Sequence, residues 1–119
     1  MAEPRSRILV VEDEYFIAEE LREALHRLGA EVIGPVPTGE AALALLKSEP
    51  IDAAVLDINL RGEMSFAVAD ALEERRIPFV FATGYDRVVV PERHREVSLW
   101  SKPFDAERLV LTTLDLQQP

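Results

Sequence analysis

The sequence predicts an α/β domain built on a doubly wound parallel sheet. Three observations carry that expectation. Short β-branched apolar runs alternate five times with amphipathic helical stretches over short connections, a pattern that demands a parallel sheet with right-handed crossovers and helices on both faces. The run Ala53-Ala54-Val55-Leu56 reaches Asp57 without a polar residue on either face, as a strand covered on both sides would. Several of these runs end in polar residues, and in open parallel sheets ligands bind just beyond the carboxyl ends of the strands.

The elements follow in order. Arg7 to Val11 reads as the first strand and ends in Glu12-Asp13-Glu14. A helix follows, with Ile17, Leu21, Leu25 and Leu28 at helical spacing, an acidic first turn favoured by the helix dipole, and Gly29 as its stop. Glu31 to Val36 is a second strand, whose Gly34 and Pro35 suit a sheet edge. Thr38 caps a helix from Gly39 to about Ser48, with Leu43 and Leu46 facing inward, and Pro50 breaks the chain before the Asp57 strand.

Ile58 to Glu63 reads as a loop, and Ser65 as the cap of a third helix from Phe66 to about Arg75 that buries Val68 and Leu72. Phe79 to Ala82 is a fourth buried strand ending at Thr83-Gly84-Tyr85. Arg87 to Glu96 holds three consecutive valines and Pro91, both unfavourable to a helix, so a short or irregular fourth helix starting at Pro91 is expected. Val97 to Ser101 is the fifth strand, ending at Lys102-Pro103-Phe104. Asp105 caps the last helix, with Leu109, Thr113 and Leu116 on one face.

Composition narrows the function. A chain of 119 residues fits one domain, 1–119. Thirteen Lys and Arg against 22 Asp and Glu give a formal net charge of −9. Nucleic-acid affinity rests on cations that neutralise phosphates, so DNA, RNA and anionic membranes are poor partners. The acidity suits a basic protein surface or a cation, or merely solubility. With no cysteine, disulfides and thiolate metal sites are excluded, and a reducing cytoplasmic location is compatible. No apolar run approaches the ~20 residues that span a bilayer, and the N-terminus lacks a signal-peptide pattern.

Glu12, Asp13, Asp57, Thr83 and Lys102 all stand at strand ends that the fold would align along one rim. Singly, each is an ordinary cap, turn or surface residue. Together they pose an electrostatic problem. Like charges at ~4 Å and an effective dielectric of ~20 repel by about 4 kcal/mol per pair. One lysine cannot cancel three carboxylates, so either a proton or a cation must enter. A hard divalent ion fits oxygen ligands, Mg²⁺ being usual in phosphate chemistry, while no His or Cys favours zinc. A carboxylate beside such an ion and a lysine can attack phosphorus and become an acyl phosphate. Thr83 could then donate to the phosphoryl oxygens, Lys102 could pair with them, and the loop after Thr83 could act as a bistable element.

The motifs Val-Val-Glu-Asp-Glu, Leu-Asp-Ile-Asn-Leu-Arg-Gly, Ala-Thr-Gly and Ser-Lys-Pro-Phe resemble those of two-component response-regulator receiver domains, from Arg7 to Leu116. The resemblance implies a flavodoxin-like (βα)5 fold with strand order 2-1-3-4-5. It implies a phosphoacceptor that assists its own phosphorylation and dephosphorylation, rather than an enzyme acting on others. Asp57 matches the phosphoacceptor, and Asp13 the direct Mg²⁺ ligand, with Glu12 reaching the metal through water. Asn59 matches the position that offers a backbone carbonyl, Thr83 the switch hydroxyl, and Lys102 the phosphate-binding lysine. Lys102-Pro103 matches a cis peptide. The donor would be a histidine kinase or phosphotransfer protein, and a downstream protein would read the state. A homodimer is a further option, because receivers often pair through the fourth helix. The chain stops just after its fifth helix, so no output domain is expected.

The family's aromatic three residues before the lysine is here Leu99. Phe81-Ala82-Thr83-Gly84-Tyr85 resembles a subgroup marked by F-A-T-G-Y, often stand-alone receivers of alphaproteobacterial signalling, general stress responses included. Tyr85 is then the replacement switch aromatic. Two rival readings remain open. One is a pseudo-receiver that binds proteins constitutively. The other is an Asp-nucleophile phosphatase, disfavoured because Asn59 replaces the second carboxylate that such enzymes use. His26 and His94 read as helix-surface residues, Trp100 as packing, and Arg87, Arg93 and Arg95 as solvated charge or a small basic patch.

Overall fold

A computed structural model describes residues 5–84 and 90–117. Strands β1 (Arg7–Val11), β2 (Glu31–Val36), β3 (Ala53–Asp57), β6 (Phe79–Thr83) and β7 (Leu99–Ser101) form one parallel sheet in the order β2-β1-β3-β6-β7. Counting only these five strands, the order is 2-1-3-4-5, as expected. Helices α1 (Tyr15–Arg27), α2 (Gly39–Ser48), α3 (Phe66–Glu74) and α4 (Ala106–Asp115) cover both faces.

The strand period of two decides which face each residue joins. In β1, Leu9 and Val11 pack with Ala42 and Leu46 of α2 and Val68 and Leu72 of α3. Ile8 and Val10 turn the other way, onto Leu21 and Leu25 of α1 and Leu109 and Val110 of α4. Every residue of β3 is buried, as its unbroken apolar run requires. Burying Val55 and Leu56 contributes about 1.5–3 kcal/mol each.

Thr38 Oγ1 accepts the Ala41 N–H at 3.1 Å and Asp105 Oδ1 accepts the Arg108 N–H at 3.2 Å, so both expected caps form. β2 lies at the sheet edge, where the Gly34–Pro35 peptide is cis. Gly34 has φ +96°, and a Cβ there would lie 2.9 Å from Val36 N and 3.0 Å from Val10 O. Only glycine fits that close approach.

Several expectations are corrected. The stretch read as a loop from Ile58 to Glu63 carries a small antiparallel hairpin, β4 (Asn59–Leu60) with β5 (Glu63–Met64). Ser65 does not cap α3 through its side chain, because its hydroxyl is bonded elsewhere. The acidic run 12–14 precedes α1, whose first turn carries no acid. The fifth strand is Leu99–Ser101 only, and Leu116, at the end of α4, is 42% exposed. Leu43 is half-buried, while Ala42 takes the deeper position.

The largest correction concerns His94. Pro91 precedes a 3-10 turn, Glu92–His94, which is the short element expected there. His94 is not on the surface. Its ring lies 6.1–6.4 Å from the rings of Phe66, Phe79 and Phe81 and is 2% exposed. Nε2 stands 2.8 Å from Asp70 Oδ1 and Nδ1 3.1 Å from Glu73 Oε1, both on α3. Arg93 also forks onto Asp70, at 2.7 and 3.1 Å, so it is not a free surface charge. Trp100 is half-buried against the α1 and α4 side of the core.

Candidate functional site

Backbone pairing brings the polar strand ends together. Glu12 follows β1, and its N–H donates to Val36 O at 3.0 Å. Asp57 is the last residue of β3 and lies beside Ala82 of β6. Thr83 ends β6 opposite Ser101 of β7. The Lys102 N–H continues that ladder, donating to Thr83 O at 2.7 Å, and a cis peptide to Pro103 then turns the chain.

Lys102 is the centre of the charge cluster. Its Nζ donates to Asp57 Oδ2 at 3.2 Å, Glu12 Oε2 at 3.1 Å and Glu14 Oε1 at 3.0 Å. It also stands 3.0 Å from Glu12 Oε1, but without hydrogen-bond geometry, so that buried oxygen has proximity to a cation and no hydrogen-bond donor. The side chains of Glu12, Asp57 and Lys102 are 0%, 4% and 9% exposed. Each of Glu12, Asp13 and Asp57 offers a carboxylate oxygen, all within 4.8 Å of one another. The Asn59 N–H donates to Asp57 Oδ1 at 3.3 Å, while its side-chain oxygen accepts from Gly62 N–H at 2.6 Å and steadies the hairpin. A cleft of about 330 Å³ opens over these groups. A larger groove of about 890 Å³ lies at the opposite ends of β6 and β7, among Ile77, Phe79 and Val97, away from the carboxylates.

Burial is the main influence on Asp57. With the charge and hydrogen bonding of Glu12, it outweighs Lys102 and pushes the Asp57 carboxyl up to about 8. Burial disfavours the Lys102 ammonium, but its hydrogen bonds to Glu14 and Glu12 and the charge of Asp57 prevail and hold it above the ordinary lysine value. Without a metal, burial beside Glu12 thus favours the protonated form of Asp57. The same oxygens fit a hard divalent cation: three carboxylates, no histidine or cysteine ligand in the cluster among the described residues, and one buried oxygen lacking a donor.

The structure therefore joins Glu12, Asp13, Asp57 and Lys102, sets Asn59 beside them, and buries Thr83 at the end of the neighbouring strand. Tyr85 and Arg87 lie outside the described residues. Leu99 is 47% exposed on the edge strand β7. Three site residues escaped the sequence reading. Ser65 Oγ donates to the Asp57 carbonyl at 2.6 Å; its sequence context signalled only a cap. Glu14 reaches Lys102 from an acidic run read as dipole chemistry. Arg61, with φ +54°, brings Nε to 3.9 Å from Asp13 Oδ2; it stands in the Leu-Asp-Ile-Asn-Leu-Arg-Gly motif, but the sequence reading gives it no role there.

Comparisons with known proteins agree with this geometry. The chain is similar to the solution structure of SdrG from Sphingomonas melonis Fr1, with a TM-score of 0.83 and 42% identity, covering 99% of this chain and 100% of that one. It is 37% identical over 111 residues to the sensory transduction protein LytT of Bacillus anthracis, covering 89% of this chain and 45% of LytT. It is 34% identical over 107 residues to the phyllosphere-induced regulator PhyR of Methylorubrum extorquens, covering 87% of this chain and 40% of PhyR. The chain spans about half the length, or less, of these curated relatives. The response regulator receiver domain matches residues 8–113, nearly the whole parallel sheet and its helices, and the chain belongs to that family.

Proposed function

We propose that this chain is a phosphorylation-operated signalling switch that accepts a phosphoryl group on Asp57. The observation that carries the reading is the meeting of Lys102 Nζ, 3.2 Å from Asp57 Oδ2, with three carboxylates whose oxygens lie within 4.8 Å. The donor is a histidine kinase or phosphotransfer protein. An Asp57 oxygen attacks phosphorus, the phosphorus–nitrogen bond of the donor phosphohistidine breaks, and the leaving imidazole keeps the electron pair and takes up a proton. The product is an acyl phosphate on Asp57.

Asp13, Asp57 and Glu12, with Asn59 beside them, would hold Mg²⁺, which when bound would supply neutralising charge for the phosphoryl oxygens. Lys102 holds Asp57 in place and pairs with a phosphoryl oxygen. Thr83, one strand over, offers its hydroxyl to the same group. Tyr15 and Phe16 come directly after the acidic run, at the start of α1. They are 71% and 79% exposed, with their rings 5.4 Å apart, and offer an aromatic anchor to a docking donor. A downstream protein reads the phosphorylated face, which requires different affinity for the two states.

Incubation with Mg²⁺ and a small acyl phosphate tests this reading. A mass gain of one phosphoryl group in the wild type, absent in Asp57→Ala, is expected. Absence of the gain, or its survival in the variant, would refute the assignment. Equal partner affinity before and after modification would assign the chain to constitutive binding instead.

A further inference from the structure

A lysine ammonium has three N–H donors. In this structure all three are engaged, on Glu12, Glu14 and Asp57 at 3.1, 3.0 and 3.2 Å. The three acceptors differ in how readily each can be released. The Glu12 side chain is fully buried and that of Asp57 nearly so, whereas the Glu14 side chain is 58% exposed. Stripping the partner from a buried carboxylate is strongly unfavourable, but water readily solvates an exposed one.

Glu14 is also tethered in a way that lets only its side chain swing. Its backbone N–H donates to Glu12 Oε2 at 3.0 Å, and its carbonyl receives the Ala18 N–H at 2.9 Å. Although it occupies the cap position of α1, its side chain makes no capping bond. The carboxylate is therefore committed to Lys102 alone among the described contacts.

A phosphoryl group on Asp57 would bring further anionic oxygens to the same ammonium. Those oxygens then compete for the Lys102 donors, and of its two glutamate partners Glu14 leaves more easily than buried Glu12. The geometry points to Glu14 as an internal competitor for the phosphoryl group: it occupies Lys102 in the unphosphorylated state and is displaced when Asp57 is loaded. The inference rests on the phosphoacceptor reading of Asp57. Glu14 does not touch the reacting atoms, so it is a positioning residue that sets how readily the site loads.

Beryllofluoride, an anionic phosphoryl mimic, is the probe, titrated with saturating Mg²⁺ into the wild type and the Glu14→Gln, Glu14→Ala and Glu14→Asp variants. The aspartate keeps the rim charge but is shorter by one carbon–carbon bond, about 1.5 Å, and loses the contact with Lys102. All three variants should bind the probe roughly two- to fivefold more tightly, the worth of an exposed ion pair. Wild-type affinity in all three would overturn the inference, and so would wild-type affinity in Glu14→Asp alone, which would assign the effect to charge rather than contact. In Glu14→Asp, Mg²⁺ affinity measured without the probe should be unchanged; a parallel shift would make Glu14 act on the cation and overturn the inference. If the wild type fails to bind beryllofluoride at all, the phosphoacceptor reading itself fails, and the two failures are thereby told apart.

Discussion

Lys102 Nζ lies 3.2 Å from Asp57 Oδ2, although 45 residues separate them in the chain. The contact places one ammonium among carboxylates that are almost fully buried. Lys102→Ala should therefore destabilise the metal-free protein by on the order of 3 kcal/mol, because it leaves buried acids without their cation. Mg²⁺ should recover part of that loss, and should bind the variant more tightly than the wild type, since no ammonium then opposes it. Urea denaturation with chelator and with Mg²⁺ measures both effects.

A proton and a bound Mg²⁺ would compete for Asp57. In the unfolded chain this carboxyl has its ordinary value, and in the metal-free fold burial beside Glu12 pushes it up to about 8. Between roughly pH 4 and pH 8 the folded state holds the extra proton, so this group's stabilising contribution is full at the acid end and lost as pH rises through 8. Mg²⁺ bound at this cluster would require the carboxylate and would expel that proton. Its affinity should rise between about pH 6 and pH 8.5, by up to roughly tenfold per unit while one proton is released. Asp57→Asn should flatten both the pH dependence of metal-free stability and that of Mg²⁺ binding, read by calorimetric titration with proton counting.

His94 ties the segment after β6 to α3. Its ring fills space among Phe66, Phe79 and Phe81 and meets Asp70 and Glu73. His94→Ala should cost about 3 kcal/mol through the cavity and the lost hydrogen bonds. Arg93→Ala removes only an exposed pair with Asp70 and should cost less than about 1 kcal/mol. The difference between the two midpoints in urea checks the assignment.

Ser65 acts on Asp57 through the main chain. Its buried hydroxyl donates to the Asp57 carbonyl at 2.6 Å. Ser65→Ala should lose about 1 kcal/mol of stability and slow phosphorylation by a small donor, whereas Ser65→Thr, which retains a hydroxyl, should restore the rate. Single-turnover phosphorylation followed by mass shift gives the comparison.

The alternation of apolar runs was enough to set the sheet, its parallel sense and its buried centre, because strand and helix periods are local properties of the chain. Asp57, Asp13, Glu12 and Lys102 were legible as one cluster because strand ends of a parallel sheet share one rim, so residue type and position sufficed to bring them together. The side-chain partners were not legible. Ser65 has the same identity whether it caps a helix or grips a carbonyl, and only the hairpin β4–β5 brings it to Asp57. His94 follows a proline in a polar stretch that reads as surface, and only its packing onto three phenylalanine rings decides that it is buried. Sequence determined which elements form and which end of the sheet carries charge; tertiary structure alone decided which donor meets which acceptor, because hydrogen bonds depend on separations of ångströms that local patterns do not encode.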